Sequence, residues 1–137
     1  MISLNDYYGP WEGSTDLTKE RRENSIKLLE AVNRLISIAQ ADGIAFPINP
    51  ATRTQVSGRR YGGFRPQSCD QGAGHSAHKD GMAIDLFDPA NKIDTWCFDN
   101  QDKLEECGIY IEHPDATITW SHWGIRPPAS GHTVYYP

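Results

Sequence analysis

The chain predicts a single α+β domain over residues 1–137, built on a mainly antiparallel sheet with one long N-terminal helix and several short helices. Three observations carry that expectation. An apolar repeat at helical spacing runs from Thr18 to Gln40; two short helical pieces fall around Ile93 to Cys97 and Leu104 to Cys107; and four short stretches near 82–87, 109–112, 117–123 and 133–136 have strand character. With 137 residues, the chain can bury one sizeable core but not two.

The elements follow in order. Leu4 to Trp11 is an aromatic cluster closed by Gly9-Pro10, which reads as an arm packed on the domain rather than a helix. Thr18 can cap the long helix, Glu20 sits in its first turn, and Ile26, Leu29, Val32, Ile36 and Ala39 form the apolar stripe that ends before Gly43. Phe46 to Asn49 and Thr54 to Ser57 read as extended segments interrupted by Pro47 and Pro50. Gly58 to Pro66 is a loop carrying Arg59, Arg60 and Arg65, and Gly72 to Gly81 is too polar and glycine-rich to be anything but loop. Met82, Ile84 and Leu86 then alternate with Ala83, Asp85 and Phe87, as a strand requires, and Asp88 to Asn91 turns the chain away. After the short helices, Gly108 supplies a closing residue, a hairpin is expected around His113 to Ala116, and the tail from Thr133 to Tyr136 adds an edge strand.

Composition narrows the function classes. A hydrophobic content of 38%, a charged content of 23% and a net charge of -5 describe an ordinary soluble protein without a basic face for tracking phosphates, so nucleic acid is not an expected partner. The first residues show no basic segment followed by an apolar run, and no stretch approaches membrane-spanning length. Synthesis in the cytoplasm without a signal peptide, no membrane insertion and a monomeric state are therefore expected. Cys69, Cys97 and Cys107 are odd in number and lack a Cys-x-x-Cys spacing, which disfavours both a disulfide framework and a cysteine metal site.

The chemistry concentrates between Ser76 and Asp85. His78 and Asp85 are both zinc ligand types, and a turn at Gly81 would let the chain double back between a loop histidine and a strand carboxylate. Two ligands do not hold a catalytic zinc, and His122, on the strand-like Thr117 to Trp123, is the best-placed third. Two imidazoles and a carboxylate leave a fourth position open, which is the arrangement of catalytic rather than structural zinc sites. His75, His113 and His132 are weaker candidates, His75 as a group behind the ligands or a substrate contact.

Ser76, His78, Gly81, Ala83 and Asp85 reproduce a Ser-x-His-x-x-Gly-x-Ala-x-Asp signature. In this the chain resembles the zinc-dependent D-alanyl-D-alanine carboxypeptidases, a family that also includes phage L-alanyl-D-glutamate endolysins and, structurally, the hedgehog signalling domain. Trp120-Ser121-His122 looks like the family's closing ligand, and the similarity extends over nearly the whole chain, most to small phage-encoded members. The resemblance implies a hedgehog-like peptidase fold, a Zn2+ cofactor held by His78, Asp85 and His122, and hydrolysis of peptide bonds in the stem peptide of bacterial peptidoglycan. Such a protein would act at the cell wall after release, or as part of a phage particle. Two alternatives stand beside it: a zinc-binding structural or binding module that has lost hydrolysis, and a carboxypeptidase for small dipeptides with a closed pocket.

Peptide cleavage also needs a base for the attacking water. In the carboxypeptidase branch an acidic residue lies three positions before the last histidine, where this chain has Thr119. Glu112 is the expected substitute, with Asp115 competing, although a regular hairpin would leave Glu112 well away from His122 along the ladder. The resemblance favours Arg60 as the catalytic arginine, while Arg65, in Phe-Arg-Pro, also fits the pattern, and it implies substrate contacts at Arg65 and Ser76.

Overall fold

The computed structural model describes residues 1–71 and 76–137. A long helix, α2, covers Lys19–Ala41, with the Thr18 side chain accepting from the Arg21 amide. Its buried side is lined by Leu28, Leu29, Val32, Leu35, Ile36 and Ala39. The stripe is thus rotated from the expected one: Ile26 is exposed, and Leu28 and Leu35 are fully buried. Truncating one of these leucines to alanine would cost about 2–5 kcal/mol through lost transfer energy and a residual cavity.

Four strands form one sheet in the order β1-β3-β2-β4, with β1 at Ala83–Phe87, β2 at Tyr110–Glu112, β3 at Trp120–Gly124 and β4 at Val134–Tyr135. The β1–β3 and β2–β3 pairs are antiparallel, and β4 lies parallel to β2 at the sheet edge. The fold is therefore α+β with a mixed, mostly antiparallel sheet. Strand alternation sorts side chains by face. Ile84, Leu86, Ile111 and Trp123 are fully buried in the core that α2 also lines, and Phe46 meets Trp123 edge-on at 5.9 Å. Ala83, Asp85, His122 and Glu112 fall on the other face.

Two further helices, α3 at Lys92–Asp99 and α4 at Gln101–Cys107, connect β1 to β2, and Gly108 ends α4 in the left-handed conformation. Asp88 opens α3 by accepting the Ile93 and Asp94 amides at 3.0 and 2.9 Å. The outer edge of β1 is covered by residues 55–62: the Phe87 amide donates to Gln55, the Ser57 amide to Asp85, and the Asp85 amide to Gly62. The segments at 46–49 and 54–57 contribute isolated bridges, Asn49 with Thr54 and Val56 with Leu86, instead of regular strands.

The N-terminal arm differs from expectation. Leu4–Tyr8 is a short helix, α1, closed at its start by a capping box in which the Ser3 hydroxyl accepts from the Asp6 amide and the Asp6 carboxylate from the Ser3 amide. It places Tyr7, which is buried, so that its hydroxyl donates to the Ala83 carbonyl at 2.9 Å while its own carbonyl accepts the Phe64 amide at 3.1 Å. That one residue ties β1 to the loop carrying Gly63. Among the described residues no helix is long and apolar enough to cross a membrane.

Candidate metal centre

Sheet register assembles most of the site. The β1–β3 ladder sets Asp85 opposite His122. On the other side of β3, Tyr110 pairs with Gly124 and Ile111 with Trp123, so the next step along the ladder brings Glu112 opposite His122. Glu112 in turn pairs with Tyr135. Asp85, His122, Glu112 and Tyr135 therefore form one row across all four strands, each about 4.8 Å from the next in the hydrogen-bonding direction.

His78 enters this row from the loop before β1. The turn over it is closed by the Gly81 amide on the His78 carbonyl and the Met82 amide on the Ala77 carbonyl. Gly81 has φ +73°, and a Cβ there would meet the Arg21 carbonyl of α2 at 2.6 Å, so the loop can lie this close to the helix only with glycine. His78 Nδ1 stands 2.8 Å from the Gly63 carbonyl. A carbonyl only accepts, so Nδ1 carries the proton and Nε2 is left to face Asp85. Gly63 is constrained as well, since a Cβ on it would run into the Tyr7 carbonyl.

The ligand atoms of His78, Asp85 and His122 all lie within 4.8 Å of one another, and the three residues are 3%, 8% and 7% exposed. His122 Nδ1 is 2.8 Å from Asp85 Oδ1, and His78 Nε2 is 3.3 Å from the same oxygen. Asp85 Oδ2 has the Arg65 guanidinium at 3.4 Å. Burial opposes ionisation of Asp85, but attraction to His78 and the hydrogen bonds from His122 and His78 outweigh it and hold the carboxyl well below the usual range. Burial also pulls His122 down, yet its bond to Asp85 wins and raises its pKa.

These contacts test whether a metal fits. With Nδ1–H given to Gly63, a neutral His78 turns a lone pair on an oxygen that is itself an acceptor, 3.3 Å away. Two acceptors facing each other need a cation between them, either a second proton on the ring or a metal ion. Two imidazoles and one carboxylate are donors that Zn2+ accepts, so the buried group of His78, Asp85 and His122 could hold a metal ion.

A cleft of about 540 Å³ opens over the group, lined also by Arg65, Ser76, Ala77, Glu112, Trp120, Arg126, Tyr135 and Pro137. Glu112 Oε1 is 3.9 Å from His122 Nε2, close but beyond hydrogen-bonding range, so the carboxylate is not tied to the imidazole. Of the two arginines, Arg65 reaches the cleft, its Nε held by the Tyr61 carbonyl at 2.8 Å. Arg60 lies elsewhere, with its guanidinium 5.2 Å from the centre of the Trp11 ring.

The remaining candidates fall away from the metal group. Asp115 is a surface side chain, 81% exposed and 3.7 Å from His113 Nδ1. Thr119 is exposed, and its carbonyl accepts the Asp88 amide. His113 stacks on Tyr136, and His132 is exposed. His75 is outside the described residues. Sequence reasoning missed Trp120, Arg126 and Tyr135 as cleft residues. Trp120 had a signal, because it is two residues before His122 on the same strand face.

Comparison of the chain with protein-family models, with curated proteins and with solved structures found no match in any of the three.

Proposed function

We propose that this protein is a zinc-dependent hydrolase of peptide bonds in bacterial peptidoglycan, acting on the stem peptide as a carboxypeptidase or endopeptidase. The observation that carries the reading is the convergence of His78, Asp85 and His122 within 4.8 Å on the floor of a cleft that also holds Glu112 and Arg65. Zinc held by those three residues would supply a Lewis acid there, able to activate water and polarise a carbonyl. Glu112 takes the proton of the attacking water and returns it to the leaving amine, a role suited to a carboxylate beside the metal ligands and not bonded to them. Arg65 presents its guanidinium to the oxygen that gains negative charge or to a stem-peptide carboxylate. Ser76, which lines the cleft, contacts the peptide. The choice of peptidoglycan draws on the likeness of the Ser76 to Asp85 pattern to the zinc D-alanyl-D-alanine carboxypeptidases and phage endolysins, and implies action at the cell wall.

A second reading, a metal-binding module of a phage particle without hydrolysis, is favoured by one observation: the position three before His122 carries Thr119, which is exposed. One experiment separates the two. Purified protein should contain about one zinc per chain and release peptides from purified peptidoglycan, and Glu112→Gln should keep fold and zinc while release falls by about two orders of magnitude. Zinc-loaded wild type that releases nothing from several peptidoglycan types would overturn the first reading and leave a metal-binding module without hydrolysis.

A further inference from the structure

The row across the sheet continues past Glu112 to Tyr135, and the edge strand that carries it is firmly held. The Ile111 amide donates to the Thr133 carbonyl at 2.8 Å and the His113 amide to the Tyr135 carbonyl at 2.7 Å. The next residue, Tyr136, stacks on the His113 ring at 4.5 Å with 11° between planes, and Phe98 meets the same ring edge-on. Alternation along β4 then splits the two tyrosines: Tyr136 is fixed outside, and Tyr135 lines the cleft with His78, Asp85 and His122. Burial, reinforced by the negative charge of Glu112, pushes the Tyr135 phenol up to about 12, so the hydroxyl keeps its proton at any physiological pH and remains able to donate.

Its place in the row says what it meets. Arg65 contacts Asp85 at one end, and Glu112 and Tyr135 occupy the other. In the hydrolase proposed above, the scissile carbonyl oxygen faces Arg65 and the metal ligands, while the nitrogen must lie towards Glu112 to be protonated. Tyr135 stands one strand further, about 4.8 Å, and an extended peptide advances about 3.3–3.6 Å per residue. The first oxygen beyond the scissile nitrogen comes within its reach.

From this geometry we infer that the Tyr135 hydroxyl donates a hydrogen bond to the carbonyl or carboxylate oxygen of the residue on the amine side of the scissile bond, making Tyr135 a specificity-determining residue. The inference rests on the hydrolase reading, and its test separates the two. Zinc-loaded wild type and Tyr135→Phe are compared on three versions of one stem peptide, in which the residue after the scissile bond is a free acid, its amide, or an ethylamine that lacks the oxygen altogether. Tyr135→Phe should lower kcat/KM about tenfold, the scale of one lost hydrogen bond, for the oxygen-bearing peptides and leave the ethylamide unchanged. A loss confined to the free acid identifies a terminal carboxylate as the acceptor; an equal loss for acid and amide identifies a peptide carbonyl.

Binding supplies an arm that does not need turnover. In the Glu112→Gln background, Trp120 fluorescence should report a roughly tenfold higher Kd for the oxygen-bearing peptides on adding Tyr135→Phe, and no change for the ethylamide. If wild type cleaves nothing but this binding difference persists, the hydrolase reading fails and the Tyr135 contact stands. An equal effect on all three peptides, or no effect on any, overturns the contact.

Discussion

Two buried carboxyl groups lie on opposite faces of the same sheet, and they carry charge in opposite ways. Asp85, on the cleft face, is surrounded by His78, His122 and Arg65, and its pKa is driven well below the ordinary value. Asp94, on α3 behind β3, is completely buried, accepts the Thr117 hydroxyl at 2.6 Å and has a carboxylate neighbour, Asp88. Burial pushes its pKa from an ordinary 3.8 up to about 6, against the pull of the Ser121 and Thr117 hydroxyls. Desolvation is the largest influence on both, so burial does not decide which group is ionised. The partners do: beside Asp85 the contacts with His78 and His122 outweigh burial and keep a negative charge on the cleft face, whereas beside Asp94 the Ser121 and Thr117 hydroxyls fall short of offsetting burial, to which the like charge of Asp88 adds.

The strongest way to break this contrast is to remove the negative charge from the cleft face. If zinc is held as proposed, Asp85→Asn is expected to weaken its binding by more than about a hundredfold, because loss of an outer-sphere partner alone commonly costs 10–100-fold and here a proposed direct ligand would be lost. In the metal-free variant, His122 should also lose its raised pKa, since its bond to Asp85 is what overcomes burial. Metal titration by calorimetry and histidine titration by NMR check the two halves separately. Undiminished zinc affinity would show that the metal sits elsewhere.

Asp94 sharpens the comparison with a smaller effect of opposite sense. Its folded-state pKa of about 6 exceeds the 3.8 of the unfolded chain, so between those values the folded state holds a proton that the unfolded state has released. The stability that goes with the raised pKa is fully present below pH 3.8 and is lost as pH rises through about 6. At pH 7 the loss is on the order of 2–3 kcal/mol. Asp94→Asn, which does not titrate, should therefore be more stable than wild type at pH 7 and close to it at pH 4, as measured by urea denaturation at both pH values. The same gap at both would mean that the carboxyl ionises normally in the fold.

The sequence made some of this legible and hid the rest for physical reasons. His78 and Asp85 could be read because they are ligand types at a local spacing, His122 followed from the need for a third ligand, and the alternation of 82–87 announced a strand with Asp85 on one face. Glu112 could be named by type but not placed. A tight hairpin at 113–116 would pair it with residue 117, five places from His122, whereas the chain from 113 to 119 takes a 3-10 turn at Pro114–Ala116 and is pinned by Thr117 to Asp94 and Thr119 to Asp88. That longer connection shifts the register until Glu112 stands opposite His122. The α1 capping box was present as Ser3 and Asp6, but the aromatic run and Gly9-Pro10 masked it. Tyr135 had no local signal, because parallel pairing of β4 with β2 is a long-range contact.

The smallest expected effect separates the two arginines that local sequence left open. Both are cations in one loop, yet Arg65 faces Asp85 at 3.4 Å inside the cleft while Arg60 lies against Trp11, whose indole donates to the Arg60 carbonyl at 2.9 Å. Arg60→Ala removes one exposed cation–π contact, worth about 0.5–1 kcal/mol, and keeps the backbone acceptor for Trp11. Stability should fall by no more than that, with zinc content and peptide release unchanged. Arg65→Ala instead takes a guanidinium from beside Asp85 and, in the proposed hydrolase, should reduce release at least tenfold, as loss of one charge-assisted hydrogen bond to the reacting group does. If Arg60→Ala proved the more damaging of the two for hydrolysis, the arginine that serves the site would lie outside the cleft seen here, and charge at the cleft face would no longer be set by the neighbours of Asp85.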